Sequence, residues 1–141
     1  MTKYDRVLMQ TAWVWSDESF CVRSKVGCVI ARDSRVVSIG YNGTPSGFMN
    51  ICEDIDGNTK DIVIHAEQNA LMFAAKSGIA TNGTTIYCTL APCAQCALLI
   101  IQAGIKRVVF AEYYRDRTGL ETLKRAKIET VYLPSINPND I

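Results

Sequence analysis

The sequence lacks both a long apolar run and an excess of charge of one sign. No apolar stretch approaches the length of a membrane span, and the opening MTKYDRVLMQ is interrupted by charges where a secretion signal would be apolar. Fifteen basic and fourteen acidic side chains give a formal charge of +1. We therefore expect a cytoplasmic protein with no membrane partner, and such a balanced charge argues against long nucleic acid as the main ligand.

Histidine is nearly absent, since His65 is the only one, whereas the chain has six cysteines. In an intracellular protein, cysteines are more often metal ligands or small core residues than parts of a disulfide framework. The length of 141 residues and the hydrophobic fraction of 48% suit one globular domain. We expect a single domain over residues 1–141.

Apolar periodicity predicts an α/β protein with the element order α-β-β-α-β-α-β-α-β. The helices are predicted at residues 3–20, 66–76, 93–102 and 120–126, and the strands at residues 26–31, 36–41, 84–90, 108–111 and 129–133. The first two strands read as an antiparallel hairpin, and the last three, each separated by a helix, are expected to be parallel. One mixed sheet covered by helices follows.

The segment 42–60 between the second strand and the second helix is rich in Gly, Asn, Asp and Pro. A loop of this length in a small domain is more often functional than idle. We expect it to border the site.

Two short motifs carry the chemistry. His65 stands two residues before Glu67, and Cys93 and Cys96 form a Cys-x-x-Cys at the start of a predicted helix. His65 and Glu67 alone could be a helix cap and a solvated acid, and the cysteines alone could be a redox pair. Together they predict a zinc site, because two thiolates on one helix face need a third ligand.

This set leaves the fourth zinc position open, which indicates catalysis and not a structural role. There is no second histidine, and Cys88 is better explained as a core residue of a strand. His65 and Glu67 can converge only if His65 precedes the helix proper, since residues two apart in a helix point about 200° apart. Glu67 is then the general acid and base, acting on a water that zinc makes acidic near neutral pH.

These residues carry a resemblance to the cytidine deaminase superfamily, whose signature combines His-x-Glu with Pro-Cys-x-x-Cys. Within it the chain is most similar to deoxycytidylate (dCMP) deaminases, particularly those of phages and viruses. The matching stretches, which cover nearly the whole chain, are residues 25–30, 40–47, 65–70 and 100–106. The resemblance implies a three-layer fold whose five-stranded sheet has the order 2-1-3-4-5, with helices on both faces.

The resemblance also implies the reaction. A zinc-bound hydroxide would convert dCMP to dUMP and ammonia, with Glu67 as proton shuttle, and so supply dUMP for thymidylate synthesis. One catalytic Zn²⁺ per chain is implied, with no organic cofactor.

Substrate contacts follow partly from residue types and partly from the resemblance. Asn42, on a loop that follows a strand, is a candidate for the sugar hydroxyl, although Asn-Gly is also an ordinary turn signal. The resemblance places Tyr114, in preference to the neighbouring Tyr113, against the nucleotide, and Ala66 beside it. Candidates for the phosphate are the cations Arg23, Lys25, Arg115 and Arg117.

Many dCMP deaminases are hexamers that dCTP activates and dTTP inhibits, usually with Mg²⁺ at the triphosphate. The resemblance implies the same partners here. The implied effector residues are Tyr41, Asn42, Gly43, Gly47 and Phe48. The apolar run 98–101 would suit an oligomer interface, or equally a helix face buried on the sheet.

Some phage members carry an insertion before the His-x-Glu motif and a second, structural zinc. The insertion is absent here. The resemblance matches Cys21 and Cys52 to two ligands of that second zinc, but we expect them to be free thiols. Two other functions are weighed: deamination of another base or of a nucleic acid such as tRNA adenosine, and a zinc-stabilised binding module without turnover.

Overall fold

A computed structural model describes residues 2–140 of the chain. The helices are α1 (Asp5–Ser16), α2 (Ala66–Lys76), α3 (Ala94–Gln102) and α4 (Thr118–Arg125), and a short 3-10 turn (Pro138–Asp140) follows them. The strands are β1 (Gly27–Arg32), β2 (Arg35–Tyr41), β3 (Thr85–Leu90), β4 (Arg107–Glu112) and β5 (Glu129–Tyr132). The predicted element order is confirmed. No helix among the described residues is long and apolar enough to cross a membrane.

All five strands belong to one sheet with the order β2-β1-β3-β4-β5. β1 pairs antiparallel with β2 and also with β3, whereas β3, β4 and β5 are parallel. The sheet order implied by the resemblance is therefore confirmed. The carboxyl ends of the parallel strands open onto one edge, where ligands of open α/β sheets usually bind.

Helices cover both faces of the sheet. On one face α1 buries Met9 and Ala12 against Val29 and Val109. On the other face α2, α3 and α4 pack on the opposite side chains of the same strands, the alternation that a strand requires. The second and third helices also contact each other, which brings their N-terminal ends, and the two predicted metal motifs, side by side.

The first helix is shorter than predicted, because it ends at Ser16 and not at residue 20. A long-range contact turns the chain away: the Ser19 hydroxyl donates a hydrogen bond of 2.8 Å to the carbonyl oxygen of Asn42. Helical periodicity carries no information about such a partner. The other predicted boundaries agree with the structure to within two residues.

A buried ion pair holds α1 to the sheet. Arg107 in β4 donates to both carboxylate oxygens of Asp5 at 2.9 and 2.5 Å, and the Tyr87 hydroxyl donates at 2.8 Å. Burial alone would raise the pKa of Asp5, but these bonds together hold it well below its ordinary value. Nothing in the local sequence indicated this pairing.

Gly40 in β2 allows α2 to lie directly on the sheet. A Cβ at residue 40 would stand 2.2 Å from the carbonyl oxygen of Ala66 and 2.6 Å from the backbone nitrogen of Ala70. Ser38 then donates a hydrogen bond of 2.7 Å to the Ala70 carbonyl. Together these contacts set the height of the helix whose first turn follows His65.

We expect Gly40→Ala to lower the free energy of unfolding by about 3 kcal/mol, at the upper end of what overpacking costs, because helix backbone cannot rotate away from the new methyl group. Gly43→Ala is the matched control, since a Cβ there meets nothing within 4 Å. Urea unfolding of both variants measures the difference. Equal stability of the two would show that close approach is not why residue 40 is glycine.

Cys21 and Cys52 form a disulfide, which corrects the expectation of free thiols. The two residues are 31 positions apart and both are buried. They meet because the segment between α1 and β1 packs against the long loop after β2. The sulfurs of a disulfide are not thiolates, so in this form they are not metal ligands.

Candidate metal centre and adjoining cavities

His65 and Cys93 occupy equivalent positions, each the last extended residue before a helix. His65 caps α2 with backbone angles of −72° and 157°, and Cys93 caps α3 with −73° and 173°. The geometric requirement that His65 precede its helix is thus met. Unpaired N–H groups and the helix dipole at these ends stabilise thiolates.

The donor atoms are spaced as a tetrahedral zinc requires. The Nδ1 atom of His65 lies 3.6 Å from the sulfur of Cys93 and 3.4 Å from that of Cys96. Zinc bonds of about 2.3 Å to sulfur and about 2.0–2.1 Å to nitrogen at tetrahedral angles place S and N about 3.6 Å apart. Both nitrogen–sulfur distances therefore suit zinc, and all three donor atoms lie within 4.8 Å of one another.

The protonation of the three donors is coupled. Its hydrogen bonds with Cys96 and His65 lower the pKa of Cys93 well below the ordinary thiol value, which favours the thiolate form. The pKa of Cys96 is raised, first by its hydrogen bond to Cys93 and then by burial. The pKa of His65 is raised mainly by its bond to Cys93. Binding of a metal would displace these protons.

Glu67 lies beside the three donors without joining them. Its side chain is 4% exposed, and it is not among the clustered donors His65, Cys93 and Cys96. Burial raises the pKa of Glu67 to about 7, because a charged carboxylate is disfavoured away from water. A carboxyl group poised near neutral pH suits a group that both takes and gives protons.

Neighbouring residues fix the two capping positions. The side chain of Gln68 accepts a hydrogen bond of 2.8 Å from the backbone N–H of His65. On α4, Gly119 lets that helix pack against the other motif, since a Cβ there would stand 2.1 Å from the carbonyl oxygen of Pro92. Three helices therefore hold the candidate metal site.

A cavity of about 480 Å³ opens beside the donors. Five of the predicted substrate residues line it together with the metal motif: Arg23, Asn42, Ala66, Tyr114 and Arg115. Lys25 and Arg117 do not line it. Arg117 instead stacks over the ring of Tyr113, with 3.9 Å from its guanidinium carbon to the ring centroid. Sequence reasoning missed two wall residues from the long loop, Thr59 and Val63.

The oxygen and the nitrogen of the Asn42 side-chain amide both form hydrogen bonds with the backbone of the segment before β1. Its Oδ1 accepts from the Val26 N–H at 2.9 Å, and its Nδ2 donates to the Ser24 carbonyl at 2.7 Å. An amide has a second N–H and a second lone pair, so one donor and one acceptor site remain for a ligand.

A second cavity, of about 510 Å³, lies on the other side of Asn42. Four of the predicted effector residues line it, namely Tyr41, Asn42, Gly43 and Gly47, whereas Phe48 does not. The opposite wall is a face of α2 that sequence reasoning missed: Asn69, Met72, Phe73 and Lys76. Their helical spacing of three, four and seven is a signal that could have indicated a shared face.

Comparison with known proteins gives a consistent result. The family model for the zinc-binding region of cytidine and deoxycytidylate deaminases matches residues 2–112. Deoxycytidylate deaminase of Enterobacteria phage T4 is 33% identical over 177 aligned positions, which cover 95% of this chain and 92% of that enzyme. The Saccharomyces cerevisiae deoxycytidylate deaminase is 37% identical over 89% of this chain but only 43% of its own length.

Among solved structures, the dCMP deaminase of cyanophage S-TIM5 in complex with dCMP and dUMP superimposes with a TM-score of 0.91. The two chains are 39% identical, and the match covers 94% of this chain and 99% of that one. The T4 alignment is longer than the 141 residues of this chain, so the T4 enzyme has segments that this chain lacks.

Proposed function

Because this chain belongs to the zinc-binding cytidine and deoxycytidylate deaminase family, we propose that it hydrolyses dCMP to dUMP and ammonia. The observation that carries the proposal is one cavity lined by Glu67, a buried carboxyl group, and by His65 and Cys93, two residues of the three-donor cluster. The similarity to dCMP deaminases over nearly the full chain supports dCMP as the substrate.

Glu67 performs the proton transfers in this proposal. When bound, zinc supplies a nucleophile by lowering the pKa of a coordinated water from 15.7 to about 7. Glu67 accepts a proton from the attacking water and delivers it to N3 of the cytosine ring. It then takes the second proton, from the hydroxyl group now on C4, and gives it to the C4 amino group. The C4–N bond breaks, ammonia leaves, and the oxygen remains as the C4 carbonyl. A pKa raised to about 7 lets one carboxyl group do both steps.

The remaining cavity residues bind and orient the nucleotide. Ala66 is the first residue of α2, so its backbone N–H has no partner within the helix and can donate to the base. Tyr114 packs beside the base. The remaining N–H group and oxygen lone pair of the Asn42 side chain form hydrogen bonds with the sugar. Arg23 and Arg115 pair with the 5′-phosphate. Lys25 adds positive charge from outside the cavity.

The second cavity is the proposed effector site. We place dCTP, as activator, and dTTP, as inhibitor, between the loop residues Tyr41, Gly43 and Gly47 and the face of α2. Lys76 provides a cation there, and Mg²⁺ would accompany the triphosphate. Asn42 borders both cavities, so an effector in one cavity and the substrate in the other would contact the same residue.

A homo-oligomer, a hexamer by resemblance, is also proposed. The apolar run 98–101 has both a buried and an exposed part. Ile100 is buried on the sheet, whereas Leu98 and Leu99 are exposed and would suit an oligomer interface. On the neighbouring helix Met72 and Phe73 are exposed as well. Covering these side chains would remove apolar surface from water. We retain the cytoplasm as the proposed location and small nucleotides as the partners.

The test is turnover by the purified, zinc-loaded protein of a panel comprising dCMP, dCTP, deoxycytidine, adenosine and guanine, followed by ultraviolet absorbance. Each reaction is repeated with dCTP or dTTP as effector in the presence of Mg²⁺. We expect dCMP to be the preferred substrate, faster with dCTP and slower with dTTP. Turnover of a non-cytosine substrate alone would reject the assignment, and no turnover at all would favour the binding module.

A further inference from the structure

The segment 17–26, which joins α1 to β1 and carries Arg23, has no helix or strand of its own. Ser19 and Cys21 anchor its first half, but the side chains of residues 22–25 do not anchor the part around Arg23, because Val22 is 84% exposed and residues 23–25 are all exposed. A cation on such a segment would sample many directions unless its backbone were held. Contacts from the long loop hold it.

Glu53 supplies the contact at Arg23 itself. A single carboxylate oxygen, Oε2, accepts hydrogen bonds from two consecutive backbone N–H groups, those of Val22 at 3.0 Å and Arg23 at 3.1 Å. Hydrogen bonds to an ionised acceptor are roughly twice as strong as neutral ones. Asn42 holds the same segment one and three residues after Arg23, at Ser24 and Val26, so the backbone is held on both sides of the Arg23 side chain.

The residue that holds Arg23 is itself held. Glu53 pairs with Thr59 across a short antiparallel bridge, and the Lys60 N–H donates to the Cys52 carbonyl at 2.7 Å. Cys52 is in turn bonded to Cys21, the residue before Val22. The chain segments that meet at Glu53 are therefore joined covalently at the adjacent position.

The contact leaves the Arg23 side chain available. Glu53 binds the backbone of Arg23 and not its guanidinium. Within residues 2–140 the cation of every ion pair is Arg107, so Arg23 is in none of them. The side chain lines the cavity that also contains His65 and Glu67. The Glu53 carboxylate thus fixes the backbone position of Arg23 but forms no ion pair with its guanidinium.

We propose that Glu53 is a positioning residue for substrate selection: it holds the backbone at Val22 and Arg23 so that the Arg23 guanidinium meets the phosphate of the nucleotide. The inference rests on the proposed deamination of dCMP. It assigns to Glu53 a preference for the phosphorylated substrate over the nucleoside, and no part in the chemical step.

The experiment compares Glu53→Ala and Glu53→Gln with Asp56→Ala. The control removes the same charge from an exposed carboxylate of the same turn, one that has no bond to residues 22 and 23. For each zinc-loaded protein, kcat and KM are measured with dCMP and kcat/KM with deoxycytidine. Inhibition by dUMP and by deoxyuridine gives the same comparison without turnover, and the thermal midpoint reports stability.

We expect Glu53→Ala to raise KM for dCMP about tenfold, with kcat within about twofold, since binding shared by ground and transition states is lost. Inhibition by dUMP should weaken in parallel, whereas deoxycytidine turnover and deoxyuridine inhibition stay unchanged. Glu53→Gln, which keeps an acceptor oxygen, should recover most of the loss, and Asp56→Ala should match the wild type.

Equal losses for nucleotide and nucleoside would show a merely structural role and overturn the inference, as would a Glu53→Ala enzyme with an unchanged KM. The same effect in Asp56→Ala would assign it to net charge and overturn the inference too. Failure of the proposed function is visible separately, because it appears in the wild type as no turnover of dCMP.

Discussion

Glu67→Gln should lower kcat for dCMP by roughly 10²- to 10⁴-fold, the range that a positioned acid and base contributes. An amide of the same size fills the same buried space but can neither accept the proton of water nor return it to the base. The change removes no metal ligand, so zinc content should stay at the wild-type value. Burial already raises the pKa of this carboxyl to about 7, so loss of the charge should cost little stability.

The measurement is steady-state kinetics alongside zinc analysis of the same preparation. Glu112→Gln is the control, because Glu112 is an exposed glutamate at the end of β4 and undergoes the same chemical change. Activity within tenfold of the wild type in Glu67→Gln would remove this residue from the proton shuttle. A loss of zinc in that variant would instead mean that Glu67 is a ligand.

The second large effect is expected from Cys96→Ala, which should reduce bound zinc from about one per chain to a small fraction of that and abolish turnover. A site with two remaining donors, His65 and Cys93, no longer provides the three protein ligands that catalytic zinc requires. The alanine should also weaken the coupling between metal binding and folding, so a chelator should no longer shift the thermal midpoint. His65→Ala should behave in the same way.

Cys88→Ala is the matched control, since Cys88 and Cys96 are both fully buried but only Cys96 lies in the donor cluster. The zinc-to-chain ratio, determined by elemental analysis, should be normal in Cys88→Ala. A normal ratio in Cys96→Ala or His65→Ala would contradict the assignment of these ligands. Loss of zinc in Cys88→Ala would make Cys88 a fourth ligand and close the open position.

Much of the fold was predictable because its signals are local. The bounds of α2, residues 66–76, agree with the structure, since apolar spacing, a capping position and Ser77-Gly78 all act within a few residues. The parallel order of the last three strands followed from the helices between them, because a parallel connection needs a crossover. The metal motif was predictable for the same reason, since each half is a short pattern at a helix start.

The second cavity and the pairing of β1 with β3 were harder to predict from the sequence. In both, the partners are far apart in the sequence: residues 28 and 88 pair on neighbouring strands, and residues 41–47 face residues 69–76 across the second cavity. Hydrophobic periodicity states which face of an element is buried but not what covers it. The resemblance, and not the periodicity, implied where β1 stands.

The sequence by itself determined the residues of the chemistry that we propose: one histidine, a Cys-x-x-Cys and an acid two residues from the histidine, which we interpret as a metal-donor set and a proton carrier. Only the tertiary structure decided the rest. It placed Arg23 in the cavity and Lys25 outside it, joined Cys21 to Cys52, and tied the amide of Asn42 to backbone. Those outcomes depend on which distant segments pack together, and that packing is a property of the whole chain.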